Sequence, residues 1–141
     1  MRIAINGFGR IGRLACRTML QYPELQLIAV NDLADTATMA HLLKYDSTHG
    51  RFPLPVHTVD NDILIHTNPV KVLTVKDPLQ LPWAELDIDL VLECTGVFTD
   101  RFNLEKHLFA GAKKVLLSAP PKGNEYIKTI VMSINESSIN A

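Results

Sequence analysis

Cysteine is scarce in this chain, and what there is carries no pattern. Cys16 and Cys94 are the only two. No CxxC pair and no Cys/His ligand spacing surrounds them, which argues against a disulfide framework and a structural zinc site. The five histidines, His41, His49, His57, His66 and His107, are scattered without an HxH or HExxH pair. Long apolar runs are also missing. Stretches such as Ile63–Ile65 and Val115–Leu117 fall far short of the ~20 residues that span a bilayer. The opening Met1-Arg2-Ile3-Ala4-Ile5-Asn6-Gly7 is too brief an apolar run for a signal peptide. With no secretion signal, the sequon Asn135-Glu136-Ser137 reads as chance. Charge of one sign is lacking as well: 14 basic residues face 15 acidic ones, for a net charge of −1. Neither a basic stripe for nucleic acid nor a basic amphipathic helix for a membrane surface is present. These absences predict a cytoplasmic, metal-free domain with no nucleic-acid or membrane partner.

What is present suits a packed core. Hydrophobic residues make up 47% of 141 residues and charged residues 21%, the balance and length of one globular domain. Arg2–Asn6 is a β-rich run that meets glycines at once. Residues 10–22 then carry Ile11, Leu14, Ala15, Thr18, Met19 and Tyr22 at steps of three and four, which predicts a helix ended by Pro23. Leu25–Val30 is a near-continuous apolar run, as a strand covered on both faces should be. A second helix is expected over Thr36–Tyr45. From Phe52 to Val75, three β-rich runs (Val56–Val59, Ile63–Ile65, Val70–Val75) are separated by Asp60-Asn61 and Asn68-Pro69. That pattern predicts an antiparallel excursion rather than a crossover helix. Alternation then returns: strand Ile88–Cys94, helix Asn103–Ala110 ended by Gly111, strand Val115–Ser118 and a further strand Thr129–Ile134. The expected class is α/β, a doubly wound, mostly parallel sheet with a small antiparallel excursion around residues 52–75.

The first turn holds the clearest chemistry. Gly7-Phe8-Gly9-Arg10-Ile11-Gly12 fits G-x-G-x-x-G, leaves a strand, opens a helix, and is followed twenty residues after its last glycine by Asp32. That is the context of a Rossmann dinucleotide site. Gly7 permits the tight turn, Gly9 lets the backbone approach a pyrophosphate, and Gly12 lets the helix pack on the sheet. The N–H groups of Arg10 and Ile11 would face the phosphates at the positive end of the helix dipole. Asp32 would accept hydrogen bonds from the adenosine ribose. A 2′-phosphate about 4 Å from it would meet roughly 1–4 kcal/mol of repulsion, which favours NAD over NADP. The bland reading is that the glycines only make a βα turn and Asp32 caps the next helix. Asn6 and Asn31 end the first two strands, where each could touch the cofactor or simply satisfy a turn. Gly96, after Thr95, and Ser118, before Ala119, stand at the ends of later strands, on the side where ligands bind in open parallel sheets. Cys94 reads as buried filler rather than a nucleophile, and Cys16 likewise.

These residues together resemble the start of the glyceraldehyde-3-phosphate dehydrogenase family. The likeness rests on Ile5–Arg13, Asn31-Asp32-Leu33, Leu42–Gly50 (Leu-Leu-Lys-Tyr-Asp-Ser-Thr-His-Gly), Asp77-Pro78 with Leu81-Pro82-Trp83, Glu93–Phe98 and Gly111–Val115. It implies the family's NAD-binding domain across residues 1–141. Cofactor contacts would then come from Asn6, Gly7, Phe8, Gly9, Arg10, Ile11, Asn31, Asp32, Lys76, Thr95, Gly96, Phe98, Ser118 and Ala119. Lys76 stands where the family often has Arg, keeping the charge but not the planar fork. Met132-Ser133-Ile134-Asn135 departs from the family's glycine-containing strand end. The resemblance implies a glycolytic oxidoreductase, a homotetramer when complete, that oxidises glyceraldehyde 3-phosphate. A thiohemiacetal would pass hydride to NAD, and phosphate would release 1,3-bisphosphoglycerate. The family's nucleophilic cysteine, in Ser-Cys-Thr-Thr-Asn, and its general-base histidine come later in sequence than Ala141. The chain is therefore expected to be a fragment without the catalytic domain, inactive alone. Two alternatives stay open: the sister erythrose-4-phosphate dehydrogenases, favoured by Met39–Asp46, and a stand-alone NAD-binding module.

Overall fold

The computed structural model describes residues 1–123 and 126–139. Its elements run β1 (Arg2–Asn6), α1 (Arg10–Met19), β2 (Gln26–Asn31), α2 (Thr36–Lys44), β3 (Tyr45–Asp46), β4 (Gly50–Arg51), β5 (Val56–Val59), β6 (Asp62–Ile65), β7 (Asn68–Leu73), β8 (Leu90–Glu93), α3 (Arg101–Phe109) and β9 (Lys114–Leu117). Seven strands form one sheet in the order β5-β6-β7-β2-β1-β8-β9. From β7 to β9 every pairing is parallel, while β5, β6 and β7 form an antiparallel meander. The expected α/β class and the excursion are both present. The meander's second turn falls earlier than Asn68-Pro69 implied: His66 takes the left-handed conformation at φ 55° and β7 starts at Asn68.

Strand order explains where a ligand can sit. The chain builds outward from β1 to β2 and β7, then crosses back to β8 on the other side of β1. The direction of winding thus reverses between β1 and β8, which opens a crevice at the carboxyl ends of those strands.

The sheet separates two apolar layers. On one face Ile3, Ile5 and Val30 pack against Cys16 and Met19 of α1 and Met39, Ala40 and Leu43 of α2. On the other, Ala4, Ala29 and Val91 pack against Leu81, Trp83, Ile88 and Ala112. Strand alternation produces this division, because residues two apart share a face. Small alanines on the second face leave room for the Trp83 indole, which is fully buried.

Helix caps follow the sequence. Asp35 accepts from the Thr38 N–H at 2.8 Å to start α2, and Asp100 accepts from Asn103 N–H at 3.0 Å to start α3. The α1 stripe is different from the one expected. Ile11, Leu14 and Tyr22 are exposed, and the buried face is Gly12, Cys16 and Met19. Closeness to the sheet, rather than apolar size, sets that face. Helix α1 stops at Met19, and Leu20–Tyr22 continue as tight turns, with Tyr22 N–H bonding Met19 C=O at 2.9 Å.

The strand expected over Thr129–Ile134 is not formed. Asn135 claims that backbone locally: its Oδ1 accepts from Val131 N–H at 2.6 Å and its Nδ2 donates to Thr129 C=O at 2.9 Å. Side-chain bonds of this kind compete with a strand ladder. Ser133 at φ 64° breaks the extended path, and Met132 and Ile134 are left exposed.

Candidate functional site

The crevice at the switch point is a cleft of about 350 Å3. Among its lining residues are eight of the sequence-predicted contacts: Asn6, Gly7, Gly9, Asn31, Asp32, Lys76, Thr95 and Phe98. Leu33, Val75 and Val97 line it as well and escaped sequence reasoning, and Cys94, expected to be buried filler, is only half-buried and lines it too. Adjacency was the available signal, since each flanks a residue already singled out or lies within the Glu93–Phe98 stretch. Phe8, Arg10, Ile11, Gly96, Ser118 and Ala119 are not among the lining residues. The Phe8 ring is buried in the first apolar layer. Arg10 and Ile11 are exposed at the head of α1, and Ser118 and Ala119 follow β9.

Three glycines shape the corner, each in its own way. Gly7 sits at φ 90°, and a Cβ there would come within 2.5 Å of the Thr95 backbone nitrogen. At Gly12 a Cβ would lie 2.2 Å from the Gly7 carbonyl oxygen, so only glycine lets α1 dock this close. At Gly9, by contrast, a Cβ would meet nothing within 4 Å. The space above Gly9 is therefore open on the cleft side, and α1 begins there with no side-chain cap. The first-turn N–H groups of a helix have no intrahelical acceptor. An anionic group could approach this bare backbone closely, which is the fit a diphosphate needs.

Asp32 is held in place by two backbone donors. Its Oδ2 accepts from Phe8 N–H at 2.7 Å and its Oδ1 from Ala34 N–H at 3.1 Å. Each carboxylate oxygen keeps a lone pair free for a further donor. Asp32 does not cap α2, a task that falls to Asp35.

Asn6 and Asn31 line the cleft and are hydrogen-bonded into its wall. Asn31 Nδ2 donates to Asn6 Oδ1 at 2.7 Å and to Val75 C=O at 2.9 Å, while Val75 N–H donates back to Asn31 Oδ1 at 2.8 Å. Asn6 Nδ2 donates to Glu93 Oε2 at 2.6 Å. Asn31, Asn6 and Glu93 stand in register at the ends of β2, β1 and β8. A row of polar side chains therefore crosses three strands beneath the cleft. Behind it, His107 Nε2 lies 3.1 Å from Glu93 Oε2, and the Trp83 indole N–H donates to His107 Nδ1 at 3.0 Å. This row was not read from the sequence. A glutamate ending the apolar run Leu90-Val91-Leu92 was its one trace.

Neither cysteine is poised as a thiolate. Burial pushes the Cys16 thiol up to about 12, outweighing the nearby Arg17 charge. Cys94 is half-buried and lines the cleft, and burial raises its thiol as well, against a hydrogen bond from Ser118. The described residues contain no group of three or more His, Cys, Asp or Glu able to hold a metal ion. None of their helices is long and apolar enough to cross a membrane.

A parallel sheet with its crevice at the switch point, a glycine corner and a fixed carboxylate at the second strand end defines a dinucleotide-binding α/β domain. Residues 1–101 match the family model described as glyceraldehyde 3-phosphate dehydrogenase, NAD binding domain. The chain belongs to this family, and NAD is its cofactor. It is 50% identical over 139 residues to glyceraldehyde-3-phosphate dehydrogenase of Clostridium pasteurianum, covering 99% of this chain and 41% of the relative. The enzyme of the same name from Thermotoga maritima is 48% identical over 140 residues, covering 98% and 41%. That from Mycoplasma pneumoniae is 50% identical over 141 residues, covering 100% and 42%. The chain thus spans about two-fifths of the length of these relatives. They carry the first of the two dehydrogenase names that the sequence left open.

Proposed function

We propose that residues 1–141 form one NAD-binding domain that holds the diphosphate at the head of α1 and the adenosine ribose on Asp32. In this reading Arg10 and Ile11 donate backbone N–H groups, Gly9 clears the approach, and Lys76, Thr95 and Phe98 flank the adenosine portion. Gly96 turns the chain at the cleft rim, while Ser118 and Ala119 lie toward the nicotinamide. Bound there, NAD supplies a hydride acceptor. The activity served is oxidation of glyceraldehyde 3-phosphate with phosphate, in a homotetrameric cytoplasmic enzyme. In this reading the thiolate and imidazole that the reaction needs are supplied outside these residues, because neither cysteine stands in the family's Ser-Cys-Thr-Thr-Asn pattern and burial raises both thiols.

One observation carries the reading: the open space over Gly9 lies in the same cleft as a carboxylate pinned by two backbone donors. Calorimetric titration tests it. NAD binds more tightly than NADP, by about tenfold or more if the repulsion at Asp32 reaches ~1.4 kcal/mol. Equal or tighter NADP binding would sink the assignment of Asp32. Purified chain supplied with substrate, phosphate and NAD shows no turnover, and measurable turnover would sink the assignment of the chemistry to other residues.

A further inference from the structure

We propose that Glu93 is a positioning residue for the cleft: its buried carboxylate fastens Thr95 on one oxygen and Asn6 and His107 on the other, setting the floor before NAD arrives. The proposal rests on the NAD-binding reading above.

Glu93 is wholly buried. A carboxylate in such a place is costly unless its lone pairs are filled, and an apolar residue of similar size would be cheaper to bury. What a carboxylate adds is the capacity to accept several donors at once. Oε1 accepts from the Thr95 backbone N–H at 2.7 Å and from the Thr95 hydroxyl; Oε2 faces Asn6 Nδ2 and His107 Nε2.

The bonds run in one direction. An indole N–H can only donate, so His107 Nδ1 must offer its lone pair to Trp83, and the ring proton sits on Nε2. That proton points at Glu93, which as a carboxylate only accepts. On the cleft side the Thr95 hydroxyl gives its proton to Glu93 and accepts from Val97 N–H at 3.1 Å. Through Asn6 the chain continues to Asn31 and Val75. Both rims of the crevice, Asn31–Val75 and Thr95–Val97, are therefore tied to one carboxylate. Trp83 and His107 brace it from behind without lining the cleft.

Three measurements test this. In the unaltered chain, nitrogen NMR of His107 shows the ring proton on Nε2, and the Thr95 amide exchanges slowly with solvent before NAD is added. A proton on Nδ1, or a Thr95 amide exchanging like an open loop, overturns the proposal. Glu93→Gln keeps the volume but puts an NH2 group among donors. It binds NAD about tenfold more weakly by calorimetry, at a temperature where circular dichroism shows the variant folded, with shifted His107 signals. Unchanged affinity in a folded variant, beside a parent that binds NAD, overturns the positioning role alone. Absence of NAD binding in the parent overturns the functional reading and this proposal together. If Glu93→Gln does not fold, the proton position and the Thr95 exchange in the unaltered chain decide the matter.

Discussion

The two faces of the sheet solve different problems. Toward α1 and α2 the contact layer is aliphatic and aromatic: Ile5, Val30, Met39 and Leu43 are almost or completely buried and ask nothing of their neighbours but shape. Toward α3 the layer is thinner, and at the carboxyl end of the strands it gives way to Asn31, Asn6, Glu93 and His107, all buried and linked in that order by hydrogen bonds. The first face is held by area removed from water, a non-directional force that tolerates reshaping. The second is held by direction, since each donor needs its own acceptor and one wrong partner leaves a buried group unpaired. The cleft lies against the directional part, where its walls have fixed positions.

The largest effect should come where both faces depend on the same corner. Gly12→Val drives a side chain into the Gly7 carbonyl, from which even a Cβ would stand only 2.2 Å away. We expect a loss at or above the ~3 kcal/mol upper end of ordinary overpacking, read by urea denaturation. A variant as stable as the parent would show that α1 is not docked through this glycine. Next, Leu43→Ala on the apolar face, at a fully buried position, should cost about 2–5 kcal/mol. Trp83→Phe on the other face keeps an aromatic ring but deletes the indole N–H that donates to His107 Nδ1, for a loss of roughly 1–3 kcal/mol. If Trp83→Phe proves neutral while Leu43→Ala does not, the directional account of the second face is broken.

The smallest effect lies away from both layers, in the β3–β4 hairpin. Backbone N–H groups of His49 and then Thr48 hold the Asp46 carboxyl at about 2, below its usual 3.8. Its folded value is depressed, so its contribution is complete above 3.8 and is lost as pH falls through about 2. Thermal midpoints of Asp46→Asn and parent should therefore differ near neutral pH and converge in acid. Curves that stay parallel down to about pH 2 would remove Asp46 from the account of acid sensitivity.

Legibility followed the range of the interaction. The meander from Val56 to Leu73 was readable because short β-rich runs between turn residues need only neighbours in sequence. Gly7, Gly9, Gly12 and Asp32 were readable because one turn and a fixed spacing define the motif. The buried face of α1 was misjudged: Ile11 and Leu14 look like core, but the helix lies so close to the sheet that Gly12 and Cys16 make the contact. The strand expected over Thr129–Ile134 failed through one asparagine, whose bonds to Thr129 and Val131 hold the backbone in a turn. Leu33, Val75 and Val97 were overlooked as cleft residues because apolar side chains announce no chemistry.

Residues close together along the chain were enough to mark the opening β-α-β unit, the meander, the glycine corner and the carboxylate at the second strand end, but not the β3–β4 hairpin or the turn at Thr129–Ile134. That Asn6, Asn31, Glu93, His107 and Trp83 form one hydrogen-bonded row came from the packing of distant segments. Those residues are up to 101 positions apart, Asn6 to His107 (107 − 6), and become neighbours only when β2, β1 and β8 align in register. Hydrogen bonds act over about 3 Å, so no periodicity in the chain could announce them.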